Sequence, residues 1–136
     1  MARIMAIDYG KKRTGISVTD PLQIIATGLT TIDSHELIPF LKNYFTNEPV
    51  ELIIIGIPVN WDESDTHGTA PAKNAVERIK KAFPAMPLKT VDERFTSKMA
   101  KASMIDMGMK KKDRQVKANV DVIAATIILQ EYMSNS

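Results

Sequence analysis

The chain has 136 residues, 44% hydrophobic and 25% charged; this profile predicts one globular domain over 1–136 and excludes a disordered, collagen-like or coiled-coil polypeptide. Its lack of cysteine excludes disulfide scaffolds, a thiolate nucleophile, Cys-ligated zinc and iron–sulfur clusters. Eighteen basic against sixteen acidic residues leave a net charge of only +2, so any nucleic-acid contact must come from clustered cations rather than from the total.

Arg3 to Asp8 predicts a buried strand that ends in a polar turn, Tyr9-Gly10-Lys11-Lys12-Arg13. Thr14 to Thr19 predicts a second strand, and Ile24 to Thr31 a third after the Asp20-Pro21 turn. Tight connections make these three an antiparallel meander. Ser34 then reads as the N-cap of a helix carrying Leu37, Ile38, Leu41 and Phe45 at helical spacing and stopping at Asn47-Glu48-Pro49. Glu51 to Gly56 contains Leu52-Ile53-Ile54-Ile55, the unbroken apolar run of a strand buried on both faces of a parallel sheet. Pro58 to Thr69 predicts a long loop, a length that is usually functional in a compact domain.

A second helix is expected over Pro71 to Phe83, with Ala75, Val76, Ile79 and Phe83 inward. Leu88 to Val91 predicts a short strand running into Asp92-Glu93-Arg94, and Thr96 to Met107 a third helix. Gly108 to Gln115 is a basic connector before a last helix over Lys117 to Met133, whose inner stripe is Val120, Ile123 or Ala124, Ile127 and Ile128. No apolar run is long enough to span a bilayer, and the N-terminus meets charges before a signal-peptide core can form; the expected location is the cytoplasm. The order β-β-β-α-β-α-β-α-α predicts an α/β fold of the ribonuclease H-like plan. Its mixed five-stranded sheet has an antiparallel three-strand start, then parallel strands, and is flanked by helices.

Ligands of open α/β sheets gather at the carboxyl ends of the strands. Asp8 ends the first strand, Glu93 follows the last and Asp121 lies early in the final helix. Each has a plain structural alternative. Asp8 can cap the turn before Gly10, Glu93 can pair with Arg94 or Arg78, and Asp121 can pair with Lys117 one helical turn away. Asp121, however, sits in an otherwise apolar run, Val120 to Ala125. Three converging carboxylates repel unless a cation or proton is shared. The matching ions are Mg²⁺ or Mn²⁺, two of them in the metal-assisted hydrolysis of a phosphodiester. His35 and His67 occur in unrelated contexts, Trp61 reads as an anchor of the long loop, and the methionines read as core filler and helix surface.

Four blocks of the chain resemble one known family. They are Ala6 to Ser17 with Asp8-Tyr9-Gly10 and Lys12-Arg13-Thr14-Gly15, Gly56-Ile57-Pro58 with Asp62 and Ser64, Val91 to Ser97 with Asp92-Glu93-Arg94-Phe95-Thr96, and Val120-Asp121 followed by Ala124-Ala125 and Ile128-Leu129-Gln130. Their order is that of the YqgF (RuvX) family of RuvC-like pre-16S rRNA nucleases, once described as Holliday junction resolvases. The resemblance implies an RNase H-like fold, a bacterial cytoplasmic setting and trimming of the 5′ end of the 16S rRNA precursor. It matches Asp8, Glu93 and Asp121 to the family's acidic metal-binding positions, and Lys12, Arg13 and Arg94 to basic positions that contact phosphate. Glu63 departs from the family's usual glycine in the 58–69 loop.

The expected function is therefore that of a metal-dependent nuclease on structured nucleic acid, the 16S precursor before branched DNA, acting as a monomer or homodimer without a membrane. The alternatives are a junction resolvase, a non-catalytic RNA-binding assembly or transcription factor, and, last, an actin-like phosphotransferase, for which the chain is short.

Overall fold

The computed structural model describes residues 2–58, 69–93 and 117–134. Within them run β1 (Arg3–Tyr9), β2 (Arg13–Thr19), β3 (Ala26–Asp33), a 3₁₀ turn (Ser34–Glu36), α1 (Leu37–Asn47), β4 (Val50–Pro58), α2 (Thr69–Ala82), β5 (Leu88–Glu93) and α3 (Lys117–Ser134). The sheet order is β3-β2-β1-β4-β5. β1 pairs antiparallel with β2, and β2 with β3, whereas β4 runs parallel to β1 and to β5. The expected mixed five-stranded sheet forms, and the carboxyl ends of β1, β4 and β5 share one edge.

Strand periodicity divides the core between two faces. Met5, Ile7 and Tyr9 of β1, with Ile16, Val18, Ile53, Ile55 and Ile57, pack on Leu37 and Leu41 of α1 and Ala72, Ala75, Val76 and Ile79 of α2. On the other face Ile4 and Ala6 join Ile54 against Ile128 and Leu129 of α3. β1 and β4 are thus covered twice, as their continuous apolar runs require. α3 buries Ala125 and Leu129 besides the expected Ala124, Ile127 and Ile128, while Val120 and Ile123 stay half-buried. The small alanines let the helix lie close to the sheet, which widens its covered arc. No helix among the described residues is long and apolar enough to cross a membrane.

Two expectations fail locally. Ser34 is not a helix N-cap: α1 begins at Leu37, and the Ser34 side chain is 2% exposed and turned into the sheet. Nor do Ile24 and Ile25 belong to the third strand, which begins at Ala26. Their amides both donate to Asp20 Oδ1 at 2.7 Å, and that of Leu22 donates to Asp20 Oδ2 at 3.2 Å. The carboxylate replaces the strand ladder with a closed turn, in which Gln23 takes a positive φ of 58°. One bulge matters later. Ile16 faces Thr30 while Ser17 faces Gly28, so Leu29 is the extra residue and Gly28, not Leu29, comes to lie across from Ser17. The predicted helix over 96–107, the basic connector over 108–115 and the loop interior at 59–68 lie outside the described residues.

Candidate active site

Asp8 occupies the penultimate position of β1, and its cross-strand neighbours are Gly15 on β2 and Gly56 on β4. Directly opposed residues share a sheet face. Ala6 and Ile4 belong to the face packed on α3, so alternation puts Asp8 there too. Neither of the flanking glycines carries a side chain, and Asp8 itself is half-buried.

α3 supplies the roof. A Cβ built on Gly15 would fall inside the backbone carbonyl of Asp121 and 2.8 Å from the Val122 nitrogen. Asp121 therefore rests on β2 within one strand spacing, about 5 Å, of Asp8's strand. The structure brings Asp8 and Asp121 together from 113 positions apart in the chain. Glu93 is the last residue of β5, in register with Pro58 of β4, while Gly56, level with Asp8, pairs with Val91. Position 93 is thus two strands across and two residues further on, at the same sheet edge.

The Asp121 carboxylate meets a cation from β2; the side chain of Lys117, the helical partner considered above, lies outside the described residues. Arg13 Nε lies 3.4 Å from Asp121 Oδ2, the two side chains being 35% and 24% exposed. Pairs this open are worth at most about 1 kcal/mol. The contact orients the arginine more than it stabilises the fold. Arg78, the other candidate partner for Glu93, donates to the Tyr9 hydroxyl at 2.7 Å and lies 5.8 Å from the centre of that ring, on the α2 face.

Lys11 and Lys12 are exposed in the turn between β1 and β2. That turn is closed by Gly10 N–H donating to Arg13 O at 3.0 Å, an approach that leaves a Cβ at position 10 only 2.6 Å from the same oxygen. Ser34 locks it from outside. Its backbone N–H donates to Lys12 O at 3.0 Å, its hydroxyl donates to Gly10 O, and Thr14 Oγ1 lies 2.8 Å from its Oγ. Sequence reasoning missed this lock, and also the buried Ser17 hydroxyl that donates to Ala125 O at 2.9 Å. Their signal was hydroxyl side chains inside strands otherwise apolar, since a buried hydroxyl needs a partner.

Arg94, with Trp61, Asp62, Glu63, Asp65 and His67, lies outside the described residues. His35, unlinked to His67 in the sequence, clusters with Asp33 and Glu36, their ligand atoms within 4.8 Å and all three exposed. Exposed acidic groups of this kind are common without an ion, and the trio is separate from Asp8. An open groove of about 670 Å³ between the β2–β3 turn and the end of α3 is lined by Ile24, Ile25, Gln130 and Met133 among others. It also touches Ile4, near the other end of β1 from Asp8, and has no ionisable side chain among the described residues of its lining.

Comparison with known proteins agrees with this architecture. A relative from Bacteroides thetaiotaomicron, named "Putative pre-16S rRNA nuclease", is 53% identical over 135 residues, covering 99% of this chain and 98% of its own. A Flavobacterium psychrophilum relative of the same name is 54% identical over 134 residues, covering 98% of each. Among solved structures, T. thermophilus RuvC in complex with a Holliday junction substrate superposes with a TM-score of 0.57 at 12% identity, over 98% of this chain and 95% of that one. At that identity the likeness speaks for the fold, which is RuvC-like and of the RNase H type. The family model for RuvX, described as Holliday junction resolvase, matches residues 2–135, and the chain belongs to that family.

Proposed function

We propose that this chain is a divalent-metal-dependent nuclease that trims the 5′ end of the 16S rRNA precursor in the bacterial cytoplasm, with residues 1–136 acting as one domain. The observation that carries this reading is the convergence of Asp8 and Asp121 at the carboxyl edge of the sheet, with Arg13 beside them. The RNA substrate follows the names of the close relatives.

The donor set fits a hard cation. Carboxylates alone, with no thiolate in the chain, suit Mg²⁺ or Mn²⁺. Asp8, Asp121 and Glu93 would hold two such ions. From the sheet register, the α-carbons of Asp8 and Glu93 stand roughly 12 Å apart. The chemistry those ions supply is activation of a water and stabilisation of the departing oxygen in an in-line displacement.

The protein's own part is orientation. Lys12 and Arg13, projecting from a turn clamped by Gly10 and Ser34, and Arg94 after β5, contact backbone phosphates and align the scissile bond. The test is cleavage of 5′-extended 16S precursor RNA with Mg²⁺, Mn²⁺ or EDTA, comparing parent and Asp8→Asn, with a four-way DNA junction alongside. Metal-dependent RNA cleavage lost in the variant supports the reading. Preferential cutting of the junction would move the substrate to branched DNA. Salt-sensitive RNA binding with no cutting under any metal would refute the enzyme altogether.

A further inference from the structure

Asp8 sits on a strand and Asp121 on a helix, so the distance between their carboxylates depends on how deeply α3 settles on the sheet. Three contacts set that depth. The Asp121 carbonyl occupies the space a side chain at Gly15 would need. One helical turn further, the buried Ser17 hydroxyl donates to the Ala125 carbonyl at 2.9 Å. Gly28, brought across from Ser17 by the bulge, leaves the space that Val122 Cγ1 fills.

We infer that Gly15, seconded by Ser17, is a positioning residue for the acidic site: the missing side chain lets α3 descend until Asp121 and Asp8 can share a cation. The inference rests on the metal reading above. A methyl group at position 15 meets backbone atoms of α3, which cannot swing aside as a flexible side chain would. The helix must rise by on the order of 1 Å to restore ordinary contact. Metal–oxygen distances tolerate only about 0.2 Å, so such a rise breaks a shared coordination. It need not unfold the helix, whose Ile128 and Leu129 stay anchored on Ile4, Ala6 and Ile54 further along. The lift acts where it matters, because Gly15 is the register partner of Asp8 itself.

Mn²⁺ binding to the full chain, measured by isothermal titration calorimetry without nucleic acid, tests this. Parent protein should bind, with Asp8→Asn at least tenfold weaker. Gly15→Ala should keep its far-UV circular dichroism and bind Mn²⁺ at least tenfold more weakly. Adding Asp121→Glu to Gly15→Ala should recover most of the loss, because one more methylene extends the carboxylate by about 1.5 Å. In the parent background the same Asp121→Glu should weaken binding. A purely structural role for Gly15 would give no such rescue. Ser17→Ala should weaken binding a few-fold, since the Ala125 carbonyl keeps its helical hydrogen bond while the tether is lost.

Folded Gly15→Ala that binds Mn²⁺ like the parent, or a glutamate exchange that recovers nothing, overturns the inference and leaves the metal reading intact. Should Gly15→Ala fail to fold, unaltered Mn²⁺ affinity in Ser17→Ala overturns it instead. A parent that takes up no Mn²⁺ removes the metal reading and this inference together.

Discussion

Replacing Ser34 by alanine should destabilise the protein by about 3 kcal/mol, far more than a serine at a helix entrance would suggest. A serine hydroxyl carries one proton. Here it goes to the Gly10 carbonyl, so the donor of the 2.8 Å contact with Thr14 must be the threonine. The result is a relay from Thr14 through Ser34 to Gly10, with Thr14 fully buried and Ser34 nearly so. Ser34→Ala removes two hydrogen bonds, each worth about 1 kcal/mol net, and strands the Thr14 hydroxyl in the interior at a further 1–3 kcal/mol or so. Thr14→Val removes only the first link, leaving Ser34 still bonded to Gly10, and should cost about 1 kcal/mol.

The double variant distinguishes a relay from two separate contacts. Once Thr14 is valine no stranded hydroxyl remains, so Ser34→Ala with Thr14→Val should lose no more than Ser34→Ala alone. Independent contacts would instead add to about 4 kcal/mol. Urea denaturation followed by tryptophan fluorescence and circular dichroism reads all four proteins. Against a total stability of roughly 5–15 kcal/mol these differences are easily resolved. A Ser34→Ala cost below about 0.5 kcal/mol, or strict additivity in the double variant, would refute the reasoning.

Asp8→Asn should abolish cleavage while keeping the far-UV circular dichroism of the parent; a folded variant that cleaves at the parental rate would contradict the site. Leu41→Ala, at a fully buried position on the α1 face, should cost about 3 kcal/mol while leaving the cleavage rate of the folded protein unchanged. Lys12→Ala should weaken RNA binding uniformly across sequences and reduce the slope of log affinity against log salt by about 1, readable by fluorescence anisotropy. The Ile25 amide, with those of Ile24 and Leu22, holds the Asp20 carboxyl below its ordinary 3.8. The stabilisation of that turn is therefore full above the ordinary value and lost as pH falls through the lower folded one; a carboxyl NMR titration giving a midpoint above 3.8 would reverse the sign.

Much of the fold was written in local pattern. The run through Leu52 to Ile55 announced a strand covered on both faces and that through Ile4 to Ile7 a buried one, and both are buried on two faces. Errors arose where a side chain competed with the backbone. Ile24 and Ile25 have the composition of a strand, yet at 66% and 63% exposure they ride a turn that the Asp20 carboxylate closes. Ser34 has the spacing of an N-cap, but tertiary partners 20 and 24 residues away claim its hydroxyl. At the site, Asp8 and Asp121 could be singled out by position and by an apolar context. Their meeting, and the ion pair of Asp121 with Arg13, depend on pairings across 108 residues or more that no local pattern encodes.

That dependence explains why small residues crowd this one corner of the sheet. Along β1 the residues facing α3 run Ile4, Ala6, Asp8, and the positions flanking Asp8 are both glycine. Apolar bulk therefore decreases toward the carboxyl edge, so the helix packs on Ile4 and Ile54 at one end and touches bare backbone at the other. A side chain at Gly15 would not fill empty space: its Cβ would clash with the Asp121 carbonyl oxygen, and overpacking of this kind typically costs about 1–3 kcal/mol. It would also hold Asp121 away from Asp8. The opposite face carries the large side chains Met5, Ile7, Leu37, Leu41, Ile53, Ile55 and Ile79. One face of the sheet thus supplies most of the apolar burial while the other gives up some of it for proximity. This is why substitutions on the α1 face should change stability alone, and those between β2 and α3 should change the site first.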